Sequence, residues 1–368
     1  MSNLFDYISW RGDLPFEASP LCEVDNFIFC MATYIDYNRI YNNYNPDVKL
    51  LSKDVSKEFC KIYDVKTVKQ MGLVIPWENI RKLIDRMGKS QRFSDIEISD
   101  FTNEIDEERQ MQFAAVTYHL NKDEMFVSFR GTDDTLVGWK EDLRLSYLNE
   151  IPAQRRSVEY LESVARKYPD KKIYVGGHSK GGNLAKYSCI WVDDDILERV
   201  CAIYNNDGPG FLPDVVSSER FARVESKVTN FVPQSSLVGQ IFQHRGKRII
   251  IKSKYKGVYQ HNIFGWEIHG TSAVRVEKFT RSGEMNHEIF NVRINSMSVD
   301  ERRGFADTFC SILDKTGVKS LRELTEAGFK SAAVMVRAYA ELDKEQKQMM
   351  SLFLTKLLSA ANKTNKEV

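Results

Sequence analysis

The stretch that most restricts what this chain can fold into is Lys171–Ala185, KKIYVGGHSKGGNLA. Ile173, Tyr174 and Val175 have strand character, the run breaks at Gly176-Gly177, and past Gly181-Gly182 the sequence suits a helix. Gly177, Ser179 and Gly181 fill the G-x-S-x-G pattern, with the strand before and the helix after that the pattern requires. A strand that turns abruptly into a helix forces its pivot into a strained backbone conformation. Side chains two positions to either side would collide at such a pivot, so glycine is needed there. The Ser179 hydroxyl is then expected at the carboxyl edge of a sheet, at the positive end of a helix.

Around this elbow the chain reads as α/β. Gln112–His119 and Glu124–Arg130 are apolar runs separated by Asn121-Lys122-Asp123, a hairpin signal. Pro152–Tyr168 has helical periodicity, and strands follow over Val200–Asn205, Lys227–Val232 and Arg248–Ser253. Strands alternating with helices after an opening hairpin predict a mostly parallel sheet with helices on both faces. Residues 1–110 read as a helical, aromatic-rich region packed on the core, 111–295 as the α/β core, and 296–368 as a C-terminal helical region. Within the first, Lys89–Gln110 turns polar and acidic and is expected to be a loop or boundary, or else a solvated helix face. Ser298 with Glu301, and Ser320 with Glu323, fit the S-x-x-E capping box. Phe329–Leu358 carries apolar positions at helical spacing, interrupted near Asp343.

Composition narrows the setting. A net charge of +1 gives no bulk argument for nucleic acid or an anionic membrane. Neither a signal peptide nor an apolar run of membrane-spanning length is visible, so a cytoplasmic protein without a membrane anchor is expected. The six cysteines lack C-x-x-C spacing and are read as reduced thiols, with no metal site and no cofactor.

A serine nucleophile needs a base, an orienting acid and an oxyanion hole. His178 adjoins Ser179 and cannot swing round to take its proton, and His244 precedes the last strand, at the wrong end of the sheet. His261 follows that strand after a loop, where a base belongs; His269 and His287 come later. From Ser226 to Gln260 there is no Asp or Glu, so the strand ending at Pro233 cannot supply the acid. Asp207, at the end of the preceding strand, is the nearest carboxylate, with Asp214 behind it in the same loop. Asp-Gly-Pro-Gly is also a turn signal in its own right, and both readings of Asp207 stay open. The amides of Thr132 and Lys180 are the candidate oxyanion donors, the Thr132 hydroxyl a further one. The acid-free stretch is rich in Lys and Arg; it reads as a solvated face or as a preference for substrates with a negative head group.

Phe129-Arg130-Gly131-Thr132, Trp139 with Asp142-Leu143, and Gly177–Ala185 together resemble class 3, fungal-type triacylglycerol lipases. Trp10–Asp13, Asp207–Gly210, Val232–Ser236 and Gln260-His261 extend the likeness to an uncharacterised bacterial family of lipase-like α/β-hydrolases. The resemblance implies an α/β-hydrolase fold and a serine hydrolase, with Ser179 as nucleophile, His261 as base and Thr132 in the oxyanion hole. In class 3 lipases the acid follows the strand that here ends at Pro233; this chain has Gln and Ser there, leaving Asp207 or a dyad. The expected substrate is a small-molecule or lipid ester. An acyltransferase or thioesterase on the same site, and a degenerate hydrolase fold serving as a binding module, are the competing readings.

Overall fold

The computed structural model describes residues 2–41, 45, 47–63, 70–71, 75–288, 294, 296–348 and 350–351. Its centre is an eight-stranded sheet: β1 (Leu50–Leu51), β2 (Glu97–Asp106), β3 (Met111–His119), β4 (Glu124–Phe129), β5 (Lys172–His178), β6 (Val200–Asn206), β7 (Val228–Pro233) and β8 (Lys247–Ile251), in that spatial order. The first four pair antiparallel and β4 to β8 run parallel.

Each strand of the parallel half lies beside its successor, and right-handed crossovers repeated in that order put every crossover on one face of the sheet. Helices α5 (Pro152–Lys167) and α6 (Lys180–Trp191) do lie together, burying Leu161, Val164, Leu184 and Ala185 against Phe113, Val127, Val175 and Ile203. The opposite face needs cover from elsewhere. It comes from the beginning of the chain, where α1 (Leu4–Arg11), α2 (Glu23–Ala32) and α3 (Trp77–Lys89) pack on Val116, Tyr118, Phe126, Phe231 and Ile249. The period-two alternation of β3 and β4 divides their side chains between the two cores. A mostly parallel sheet covered on both faces is the α/β-hydrolase architecture expected from the sequence.

One expectation is corrected. Lys89–Gln110 is neither loop nor solvated helix; it contains β2, a ten-residue strand paired with β3. Its polarity reflects an edge position, covered on its outer side only by the two residues of β1, and a register shift between Ser99 and Thr102 breaks its alternation. At the other end, α7 (Val299–Lys315) carries the Ser298–Glu301 capping box. At the second box only the Glu323 amide bond to the Ser320 hydroxyl matches; the Glu323 carboxylate takes the Lys319 amide instead. Helix α8 (Phe329–Glu341) stops before Asp343 and packs on α7; the last part of that predicted stretch, 352–358, lies outside the described residues. All six cysteines are free, and Cys201 is exposed.

Candidate functional site

β5 ends in the elbow. Ser179 has φ 59° and ψ −133°, a region that L-residues with side chains rarely occupy, and it stands as the N-cap of α6. The flanking glycines are required by space: a Cβ on Gly177 would lie 2.2 Å from the Gly181 main chain, and one on Gly181 would lie 2.1 Å from the Phe129 carbonyl oxygen.

Asp207 ends the next strand over, buried and with φ 54°. Its Oδ2 lies 2.7 Å from His261 Nδ1. Its Oδ1 accepts from the Ser236 hydroxyl at 2.5 Å and the Gly239 amide at 3.1 Å. Burial raises the Asp207 pKa above the ordinary carboxylate value, and these donors oppose the rise. The loop after β7, which has no acid of its own, therefore supplies donors to the acid on the neighbouring strand. Asp214 is not part of the group: it is exposed and accepts from the Asn149 amide at 3.0 Å.

His261 closes a 3-10 turn, Gly257–His261. Besides Asp207, its main-chain oxygen lies 2.8 Å from Nε2 of His178, the residue before Ser179. The His178 and His261 ring centroids are 4.4 Å apart, so His261 is brought to the elbow. His244 lies elsewhere, beside the buried Lys186, as its place before the last strand predicts. Burial pulls the Lys186 pKa down to about 7.

On the oxyanion side, β4 runs out at Phe129 beside Gly177 and leads into Gly131-Thr132. Among the described residues the Thr132 and Lys180 amides donate to no backbone acceptor. The Thr132 hydroxyl donates to Asp142 Oδ2 at 2.6 Å, so its proton points away from a developing oxyanion. Burial pushes the Asp142 carboxyl up to about 6, with nearby Lys180 opposing the rise. The Lys180 side chain turns inward to Glu141, at 2.7 Å, and both are almost fully buried. Glu141 also accepts from the Gln112 and Ala153 amides, at 3.2 and 2.9 Å, joining the residue after Ser179 to β3 and α5. Sequence reasoning treated Lys180 only as an amide donor; a lysine inside a glycine-rich elbow was the available sign that a buried carboxylate faces it.

Three of the seven basic residues in 227–256 are occupied with structure. Lys227 donates to the Leu197 and Val200 carbonyls, Arg245 pairs with Glu225, and Lys252 with Glu267. Among the described residues there is no group of metal-ligating side chains and no helix long and apolar enough to cross a membrane.

A family profile described as Mbeg1-like matches residues 87–311, well over half of the chain. The chain belongs to the Mbeg1-like family. The match takes in Thr132, Ser179, Asp207 and His261 and leaves α1 and α2 outside. Comparison with curated proteins finds no match. Among solved structures, a fungal lipase–inhibitor complex is 18% identical, over 46% of this chain and 69% of that one, with a TM-score of 0.35. The Rhizomucor miehei lipase propeptide complex is 16% identical over 42% and 57%, with a TM-score of 0.32. The Lip2 lipase of Yarrowia lipolytica is 17% identical over 42% and 65%, with a TM-score of 0.29. The chain thus spans less than two thirds of the last two.

Proposed function

We propose that this protein is a serine hydrolase of carboxylic esters that works through an acyl-enzyme on Ser179. The observation that carries the reading is the 2.7 Å contact of Asp207 with His261 Nδ1, made beside a serine held at positive φ. A carboxylate on Nδ1 keeps that nitrogen protonated and leaves Nε2 bare as the base. Ser179 Oγ attacks the ester carbonyl carbon and its proton passes to His261 Nε2. The Thr132 and Lys180 amides receive the oxyanion, aided by the positive end of α6. The tetrahedral adduct expels the alcohol, which takes the proton from Nε2. Water, deprotonated by the same nitrogen, then releases the acid and restores Ser179.

A fluorophosphonate probe tests this directly. Covalent labelling at Ser179, lost in Ser179→Ala together with hydrolysis of p-nitrophenyl butyrate, is the expected result. A folded wild-type protein that neither labels nor hydrolyses esters would make the fold a binding module. Labelling with acyl transfer to added alcohols or thiols in preference to water would make it an acyltransferase. Residual ester hydrolysis in Ser179→Ala above about a hundredth of wild type would place the nucleophile elsewhere.

A further inference from the structure

Tyr34 and His178 take no part in the chemistry just described, yet both are buried against it. The Tyr34 hydroxyl oxygen is 2.9 Å from His178 Nδ1, and His178 Nε2 is 2.8 Å from the main-chain oxygen of His261. A carbonyl can only accept, so Nε2 carries the hydrogen. Burial, and then the neighbouring His261, push the His178 pKa well below the usual imidazole value, which leaves the ring neutral. A neutral ring with hydrogen on Nε2 has a bare Nδ1, so the Tyr34 hydroxyl must donate to it. The direction of the chain is therefore fixed: Tyr34 O–H to His178 Nδ1, then His178 Nε2–H to the His261 carbonyl.

The Gly131 backbone also lies against the Tyr34 oxygen, in the loop that leads to Thr132. The fit there is close. A Cβ on Gly131 would fall 2.4 Å from the Tyr34 oxygen, 2.6 Å from the His178 carbonyl oxygen and 3.0 Å from Ser179 Cβ. One hydroxyl thus touches the loop of the oxyanion hole and, through His178, the backbone of His261.

We propose that Tyr34 and His178 are positioning residues that hold the backbone of His261 in register with Ser179 and the Gly131-Thr132 loop. Asp207 fixes the imidazole from its side-chain end; the Tyr34–His178 chain fixes the peptide that carries it. Without that second hold, the Gly257–His261 turn keeps the Asn262 amide on the Tyr259 carbonyl at 3.1 Å, the Gln260 side chain on the Ser235 amide at 2.8 Å, and the Gln260 carbonyl on the Trp266 indole N–H at 2.9 Å. None of these takes the His261 carbonyl, so the peptide that follows the histidine can still tilt. The inference rests on His261 being the base.

The test is Tyr34→Phe in the full-length protein, which removes one oxygen and leaves the ring in its packing. Three quantities are read: kcat and KM for p-nitrophenyl butyrate, the melting temperature, and the low-field proton resonance of His261 Nδ1–H in the resting protein. Expected are a kcat about 10- to 100-fold lower, since misplacement by an ångström can cost that much, a KM within about twofold, and a shifted or broadened resonance. His178→Gln is expected to act likewise, and the double variant to be no slower than the slower single one. A kcat within twofold of wild type in Tyr34→Phe, or additive losses in the double variant, would overturn the proposal. So would a rate loss with an unmoved resonance. If wild type neither labels nor hydrolyses, the ester-hydrolase reading has failed separately, and the resonance still decides whether Tyr34 holds His261.

Discussion

Asp207→Asn puts the sharpest question to the site. Asp207 Oδ1 receives two donors, the Ser236 hydroxyl and the Gly239 amide. An asparagine in that pocket must therefore place its carbonyl oxygen at Oδ1 and its NH2 at Oδ2, facing His261 Nδ1. An amide N–H there forces Nδ1 to accept, which moves the imidazole hydrogen to Nε2, the nitrogen that has to take the proton from Ser179. The substitution thus imposes the unreactive tautomer while keeping two of the three hydrogen bonds and reversing the third. Losing the orienting acid in this way lowers kcat by about 10⁴, which is about 5 kcal/mol of barrier. Stability should hardly move, because the buried carboxylate it removes is disfavoured by desolvation. The assay is steady-state hydrolysis of p-nitrophenyl butyrate beside a melting curve. A fall of less than tenfold in a folded variant would return Asp207 to the rank of turn residue. Asp214→Asn, at an exposed carboxylate, should leave kcat unchanged.

Other substitutions probe the neighbourhood. Ser179→Gly should abolish activity yet raise unfolding stability by about 1–2 kcal/mol in denaturant titration, by relieving the strain at φ 59°; Ser179→Ala should show no such gain. Glu141→Gln leaves the buried Lys180 ammonium with only Asp142, at 3.8 Å, as counter-charge and should cost about 3 kcal/mol in the same assay. Lys186 is fully buried, with its pKa drawn down from 10.5 to about 7. Between those values the unfolded chain binds the proton and the folded one does not, so stability should rise with pH from about 7 to 10.5. Lys186→Met should flatten that rise in melts taken across the window.

Much of this was legible in the sequence because the signals are local. The elbow needs its glycines within two residues of Ser179, and the hairpin, α5 and the strands β5 to β8 declare themselves by period and punctuation. The absence of acids between Ser226 and Gln260 narrowed the candidate acid to Asp207, Asp214 or none, and left open whether Asp207 was only a turn residue. What stayed hidden is either irregular or distant. β2 conceals its alternation behind a register shift and the polarity of an edge. Helix α2, by contrast, was legible as part of a helical region packed on the core, though with nine of its ten residues buried it has no polar face to mark it. The partners of Lys180 and His178, Glu141 and Tyr34, stand 39 and 144 positions away, and no spacing rule links them.

The cover on the outer face of the sheet also sets the order of events during synthesis. Helix α2 leaves the ribosome long before β6 and β7, which hold two of its partners in the finished sheet. Asn26 on α2 exchanges paired amide hydrogen bonds, each 3.0 Å, with Asn206, 180 residues later, and Phe27 packs edge-on against Phe231. Until β6 and β7 have been made, a helix that buries nine of its ten residues in the finished fold lacks that part of its cover. Contacts of such sequence separation slow folding and prolong the exposure of sticky surface. The nascent chain is accordingly expected to lean on chaperones while α1 to α3 await their partners, and fragments ending before β7 should aggregate rather than fold.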